Sequence, residues 1–198
     1  MKQKKTANTK GKIISAAWKL FYEQGYEQTT IEEIVEASQT SKGSFYHYFE
    51  GKEALPGTLS YVFDEKYMQL EGELGRFHTR LEQLLYLNRE LFAMIENSIS
   101  LELLARLLSS QLTTRGEKYL LDRSRYYYRL LRRIFQEGQA EGEFRNDFSV
   151  NDLVKLYAVS ERALLYDWCI CNGEYSLKTY GQTLMPLYLA GIQKGLTH

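Results

Sequence analysis

Apolar residues recur along this chain at intervals of three and four, the spacing of one buried face on an α-helix. Ile13, Ala17, Leu20 and Phe21, widened by Ile14 and Trp18, predict a helix from about Thr9 to Gln24, with Gly25 as its left-handed cap. Ile31, Ile34 and Val35 predict a second, short helix. Its start is set by Thr30, whose hydroxyl can accept from the Glu33 backbone N–H while the Glu33 carboxylate reaches back. Ser38-Gln39-Thr40-Ser41 then competes with the backbone for hydrogen bonds and favours a turn and a new cap. From Thr40 or Ser41 another short helix runs to Phe49. Phe45, Tyr48 and Phe49 face inward on it, leaving Lys42, Gly43, Ser44, Tyr46 and His47 toward the outside.

The same period continues. A helix is expected from near Gly51 to about Leu74, where Pro56 either kinks it or occupies the first turn of a helix that starts later. Leu81, Leu84, Leu85, Leu91, Phe92 and Ile95 form a stripe whose one polar member is Asn88. Leu101, Leu104, Ala105 and Leu108 predict a shorter helix ending near Thr113. A long one from about Gly116 to Glu141 carries Leu120, Tyr127, Leu131, Ile134 and Phe135 inward. The last two helices run from about Val150 to Asn172 and from Ser176 to Leu196. On the first of these, Leu153, Leu156, Tyr157, Leu164 and Trp168 make one apolar side, and Val154, Ala158, Leu165 and Cys169 make a second. A helix apolar on two sides is either deeply buried or shared between chains. The fold class is all-α.

Two short helices joined by a tight turn have the shape of a helix-turn-helix, whose second helix can lay its N-terminal residues on base edges in a major groove. Small, hydrogen-bonding and cationic side chains there suit a groove floor lined by donors and acceptors. An ordinary αα-hairpin has the same outline, so the geometry leaves both open. Gly43 weighs on the choice, because a mid-helix glycine costs about 1 kcal/mol relative to alanine and close backbone approach would justify it.

Charge narrows the picture. Lys plus Arg and Asp plus Glu stand at 25 each in 198 residues, so no overall field draws the chain to nucleic acid. A local one is offered by residues 1–12, where Lys2, Lys4, Lys5, Lys10 and Lys12 are accompanied by no acid. This arm could follow phosphates or the neighbouring minor groove, or simply solubilise the start of the chain. No stretch is apolar enough to span a bilayer, and no signal-peptide core is expected at the N-terminus. Cys169 and Cys171, the only cysteines, point to different sides of one helix and suit neither a zinc half-site nor a local disulfide, which points to a cytosolic setting. His47, His78 and His198 are scattered, and no carboxylate pair, nucleophile motif or phosphate loop stands out, so no enzyme is expected and no cofactor or metal.

The run from Ser41 to Leu55, SKGSFYHYFEGKEAL, resembles the DNA-reading signature of the TetR family of transcriptional regulators in its small-residue start, its Tyr-His-Tyr-Phe and its Lys-Glu-x-Leu. Gly138-x-x-x-Gly142-x-x-Arg145-x-Asp147 also resembles a feature that precedes the family's last two helices. The resemblance implies an N-terminal three-helix helix-turn-helix DNA-binding domain (residues 1–52) and a larger C-terminal helical domain (residues 53–198) for ligand binding and dimerisation. It implies contacts to double-stranded DNA from Thr29, Thr30, Thr40, Ser41, Lys42, Gly43, Ser44, Tyr46, His47 and Lys52, with Lys52 on a phosphate. It implies a homodimer through the last two helices, with Val154, Ala158, Leu165, Cys169, Tyr180, Leu184, Leu187 and Gly191 at the interface. A small-molecule effector would lie among the middle helices, where Asn88, Arg106, Tyr127 and Ser160 are the polar handles. The function so implied is that of a ligand-responsive repressor on a palindromic operator. The alternative is a helical module that binds proteins without reading DNA.

Overall fold

The computed structural model describes residues 2–113 and 118–195, with the backbone alone for residues 2–8. The chain is all-α. Its helices are α1 (Lys2–Gln24), α2 (Ile31–Ala37), α3 (Lys42–Tyr48), α4 (Leu59–Glu71), α5 (Arg80–Ser98), α6 (Leu101–Thr113), α7 (Tyr126–Ala140), α8 (Val150–Ile170) and α9 (Leu177–Ala190). None of the described helices is long and apolar enough to cross a membrane. Described residues 2–60 and 98–113 make one compact unit, and residues 61–97 and 118–195 make another.

Four boundaries differ from the sequence pattern. α1 begins at Lys2 rather than Thr9, since Lys, Gln and Ala in the basic run are good helix formers. The side chains of Lys2, Lys4 and Lys5 lie outside the described residues. The helix expected from Gly51 begins only at Leu59, after two 3-10 turns, Lys52–Ala54 and Pro56–Thr58. Pro56 has no N–H to give and sits at the start of its turn, so the late start holds. α7 begins at Tyr126, not Gly116, which lies outside the described residues. Ahead of it, Asp122 Oδ1 accepts from Ser124 N (2.8 Å) and Ser124 Oγ (2.7 Å), a turn that competes with helix. The last helix closes at Ala190. Leu196, its expected end, lies outside the described residues.

In the first unit Ile13, Ala17 and Phe21 of α1, Ile34 of α2, Phe45 and Phe49 of α3 and its cap, and Leu103 of α6 share one core. The Trp18 indole donates to Thr58 Oγ1 at 2.9 Å. Thus α6 packs in the helix-turn-helix unit, whereas the sequence pattern sets it among the walls of an effector pocket.

The second unit is built on α5, α7, α8 and α9. The turn after α7 serves as a hub: Glu143 accepts from the open N–H groups of Arg80 and Leu81 at the start of α5 (2.7 and 2.8 Å). Gly138 leaves room for the Phe144 ring, which a Cβ would strike. α7 takes its cap from afar. Arg125 forms a two-pronged ion pair with Asp64 (2.8 and 3.1 Å), which also accepts from Tyr127 N at 3.3 Å. At the centre sits a carboxylate. Glu161 of α8, 4 % exposed, accepts from Tyr127 OH (2.6 Å), Tyr67 OH (3.3 Å) and Asn88 Nδ2 (3.0 Å).

Replacing Asp64→Asn leaves Arg125 with an uncompensated charge in a buried place, and urea unfolding is expected to show a loss of about 3 kcal/mol or more. Burial pushes the Glu161 carboxyl above its ordinary value. The unfolded chain therefore sheds that proton first, near pH ~4.3, and the stability Glu161 contributes is lost as pH rises through its raised folded value. In Glu161→Gln that fall is expected to disappear, read as a urea midpoint that declines less with rising pH than that of the parent.

Candidate nucleic-acid interface

α3 is aimed by its buried side. Phe45 is fully enclosed and Phe49 nearly so, their rings 5.6 Å apart, so the opposite side must face out. Ser41 caps the helix, its Oγ accepting from Ser44 N at 3.1 Å and lying 2.9 Å from Ser44 Oγ. The turn before it bends at Gln39, whose φ of 53° is left-handed. Ser41, Lys42, Gly43, Tyr46 and His47 are exposed and Ser44 is half-buried, so the outward set expected from sequence comes together on one surface. A Cβ built on Gly43 would meet only Ser41 Oγ, at 3.8 Å. Nothing in the fold requires glycine there.

Lys42 is not idle. Its Nζ reaches Glu32 of α2 at 2.6 Å, and the hydrogen bond between them holds the ammonium's pKa up and the carboxyl's down. His47 stacks edge-on against Tyr48 at 4.7 Å. Thr40 is half-buried, its hydroxyl 2.8 Å from Ser38 Oγ.

Several expected phosphate contacts turn inward instead. Thr29 is 1 % exposed and its hydroxyl donates to Gly25 O at 2.8 Å. Thr30 caps α2 as the sequence predicts, but Glu33 Oε2 accepts from Thr30 N (2.7 Å) and Thr30 Oγ1 (2.8 Å), so the helix start already holds an anion of its own. Lys52 Nζ donates to the carbonyls of Tyr26 (2.9 Å), Glu27 (3.3 Å) and Thr29 (3.0 Å), and lies 4.5 Å from the Tyr26 ring centre. Its cation fastens the loop between α1 and α2. An ammonium misplaced on dipole grounds in a first turn points as well to nearby carbonyls as to a phosphate, and sequence does not separate the two.

The effector handles divide similarly. Asn88 and Tyr127 converge on Glu161. Ser160 donates back to Leu156 O of its own helix at 3.0 Å. Arg106 belongs to the first unit, where it pairs with Glu102 and Glu27 and lies 4.5 Å from the Tyr26 ring. Glu161 is the residue the sequence reading misses. The signal was there: it continues the apolar series Leu153, Tyr157, Leu164, Trp168 at helical spacing, where an acid has no solvent to face. A cleft of about 250 Å³ between α5 and α9 reaches Asn88 and Gly181. A Cβ on Gly181 would stand 2.6 Å from Phe92 and 3.0 Å from Asn88 Oδ1, so only glycine lets α9 come this close.

On α8 the residues expected at a dimer face turn inward. Val154, Ala158 and Leu165 are buried in their own subunit, and Cys169 is half-buried, its thiol pushed up to about 11 by burial. The outward stripe is Val159, Ala163, Tyr166 and Ile170, with Ile170 76 % exposed. On α9, Tyr180, Leu187 and Gly191 are exposed and Leu184 is half-buried.

Known proteins resemble this chain in sequence and fold. The family model described as bacterial regulatory proteins, tetR family, matches residues 13–56, which span the core of the first unit. The HTH-type transcriptional repressor KstR2 of Mycobacterium tuberculosis is 25% identical over 191 residues, 93% of each chain. The fatty acid metabolism regulator protein of Bacillus subtilis is 24% identical over 97% of this chain and 98% of its own. In structure, the transcriptional repressor FadR of Thermus thermophilus, solved in complex with lauroyl-CoA, superposes with a TM-score of 0.73 at 22% identity, covering 95% of each chain. Residues 13–56 thus match the helix-turn-helix of the TetR family of bacterial regulatory proteins, and the chain aligns along nearly its whole length with regulators at 24–25% identity.

Proposed function

We propose that this protein is a ligand-responsive transcriptional repressor that binds a palindromic operator as a homodimer and leaves it when a small-molecule effector binds. The observation that carries the DNA reading is Gly43, bare backbone on an exposed helix face where the fold itself has room for a side chain. A glycine kept against helix propensity earns its place only if something must come close to it. Lys42, Ser44, Tyr46 and His47 around it supply donors and a cation to a groove. Residues 1–52 act as the reading head, and residues 53–198 carry effector binding and dimerisation. The apolar stripe Val159, Ala163, Tyr166, Ile170 of α8 and the exposed Tyr180, Leu187 and Gly191 of α9 meet their symmetry mates. A two-fold pair then offers two reading heads to half-sites roughly 34 Å apart or a multiple of it.

Effector release follows from population shift. A ligand that prefers the conformation with misplaced heads lowers operator affinity by no more than its differential affinity for the two states. Polar recognition centres on Glu161, Asn88 and Tyr127. The protein works in the cytoplasm, where its operator is, and carries out regulation rather than catalysis.

Selection of bound duplexes from a random pool tests the reading directly: a palindrome with helical-turn spacing supports it, and recovery without any shared sequence overturns it. Gly43→Ala should split two measurements that a merely structural glycine would keep together. Its thermal midpoint should rise, in line with about 1 kcal/mol of helix propensity, while operator affinity drops. Lys42→Ala should relax the preference at one base position in the same selection, whereas Tyr46→Ala should weaken all sequences alike.

A further inference from the structure

In the second unit the arginines fall into two groups. Arg76, Arg80, Arg89, Arg125, Arg133 and Arg145 each pair with a carboxylate. Arg123, Arg129, Arg132 and Arg162 do not among the described residues; Arg129 donates to the Ser124 carbonyl away from the cleft, and the other three, with Lys155, line a single cleft of about 210 Å³ between α7 and α8. Arg132 donates to the Arg123 carbonyl at 2.7 Å, and Arg162 lies 3.4 Å from Tyr128 OH, so both half-buried guanidiniums are held by neutral oxygens. Tyr128, Val154 and Ala158 make the floor. Asp152 stands in the first turn of α8 near Lys155, but its carboxylate is engaged with the Ser149 cap.

Cations crowded round a concave site repel one another, and leaving them without a counter-charge costs stability that a bound anion would restore. A guanidinium fork fits the oxygens of phosphate or carboxylate. One carboxylate would answer one of the four charges, whereas a phosphate offers two charges and several oxygens to arginines on opposite walls. The volume is below the roughly 300–1,000 Å³ of sites that enclose drug-sized molecules, so it suits a head group. Leu121 on the rim, 51 % exposed, leaves an apolar way out for the rest.

We propose that the α7–α8 cleft binds the phosphate end of a small phosphorylated ligand, with Arg132 and Arg162 as its forks and Arg123 and Lys155 completing the charge. This site stands on the charges of its own unit, and its fate is separate from that of the DNA reading.

Titration calorimetry of the full chain with inorganic pyrophosphate tests it. Saturable binding at one per chain is expected, weakening as salt rises. The double variant Arg132→Ala/Arg162→Ala should lose about tenfold or more in affinity. Because those two side chains are half-buried, Lys155→Ala, on an exposed position, gives an independent loss that no folding defect explains. Arg133→Ala, whose guanidinium pairs with Glu71 outside the cleft, should bind as the parent does. No saturable binding on the order of 1 mM pyrophosphate, or an equal loss in Arg133→Ala, overturns the proposal. So does displacement of pyrophosphate by duplex DNA of any sequence, which would assign these cations to the DNA backbone instead.

Discussion

One ammonium holds the helix-turn-helix of the first unit in place. Lys52 Nζ gathers the carbonyls of Tyr26, Glu27 and Thr29 and rests on the Tyr26 ring, tying the segment after α3 to the loop before α2. α2 and α3 have seven residues each. Helices of that length have no stability in isolation, so their orientation is borrowed from what holds them. Phe45 and Phe49 supply the apolar hold against α1, and Lys52 closes the loop that would otherwise let α2 turn about its axis. The surface from Ser41 to His47 therefore has a fixed stance. Affinity then need not be spent on ordering it.

The second unit rests on a different compromise. A carboxylate at the middle of a helical core is expensive, and here tyrosine hydroxyls and an asparagine amide, rather than a cation, answer it. Apolar packing alone would give a more stable but less discriminating interior. Glu161 gives the region a directional polar centre with satisfied partners, beside a cleft that ends at Asn88.

Much of this was legible in the sequence wherever one helix or one turn carried the information. The stripes of α1 and α5, the capping box at Thr30, the turn at Ser38–Ser41 and the left-handed Gly25 are local patterns. They hold because local spacing decides them. What escaped depends on residues far apart. α7 starts where it does because Asp64, on α4, caps it. Lys52 turns inward because carbonyls more than twenty positions earlier surround it. The outward stripe of α8 was misjudged by one residue, about 100° of rotation, since both of its flanking faces are apolar and periodicity cannot choose between them. Arg106 was expected among the effector helices, but it and its partners Glu27 and Glu102 lie in the first unit.

The pair formed by Lys42 and Glu32 has a consequence for how the protein moves through a genome. In the free molecule the leading cation of the reading helix is already matched by an internal anion at 2.6 Å. A phosphate on arbitrary duplex must displace that carboxylate and tolerate it nearby, so indiscriminate attachment gains little. A site whose bases engage Lys42 directly compensates for the exchange. On the proposed reading of DNA by Lys42, the acid is a built-in competitor that holds down residence on the vast excess of wrong sequence while leaving the right one within reach.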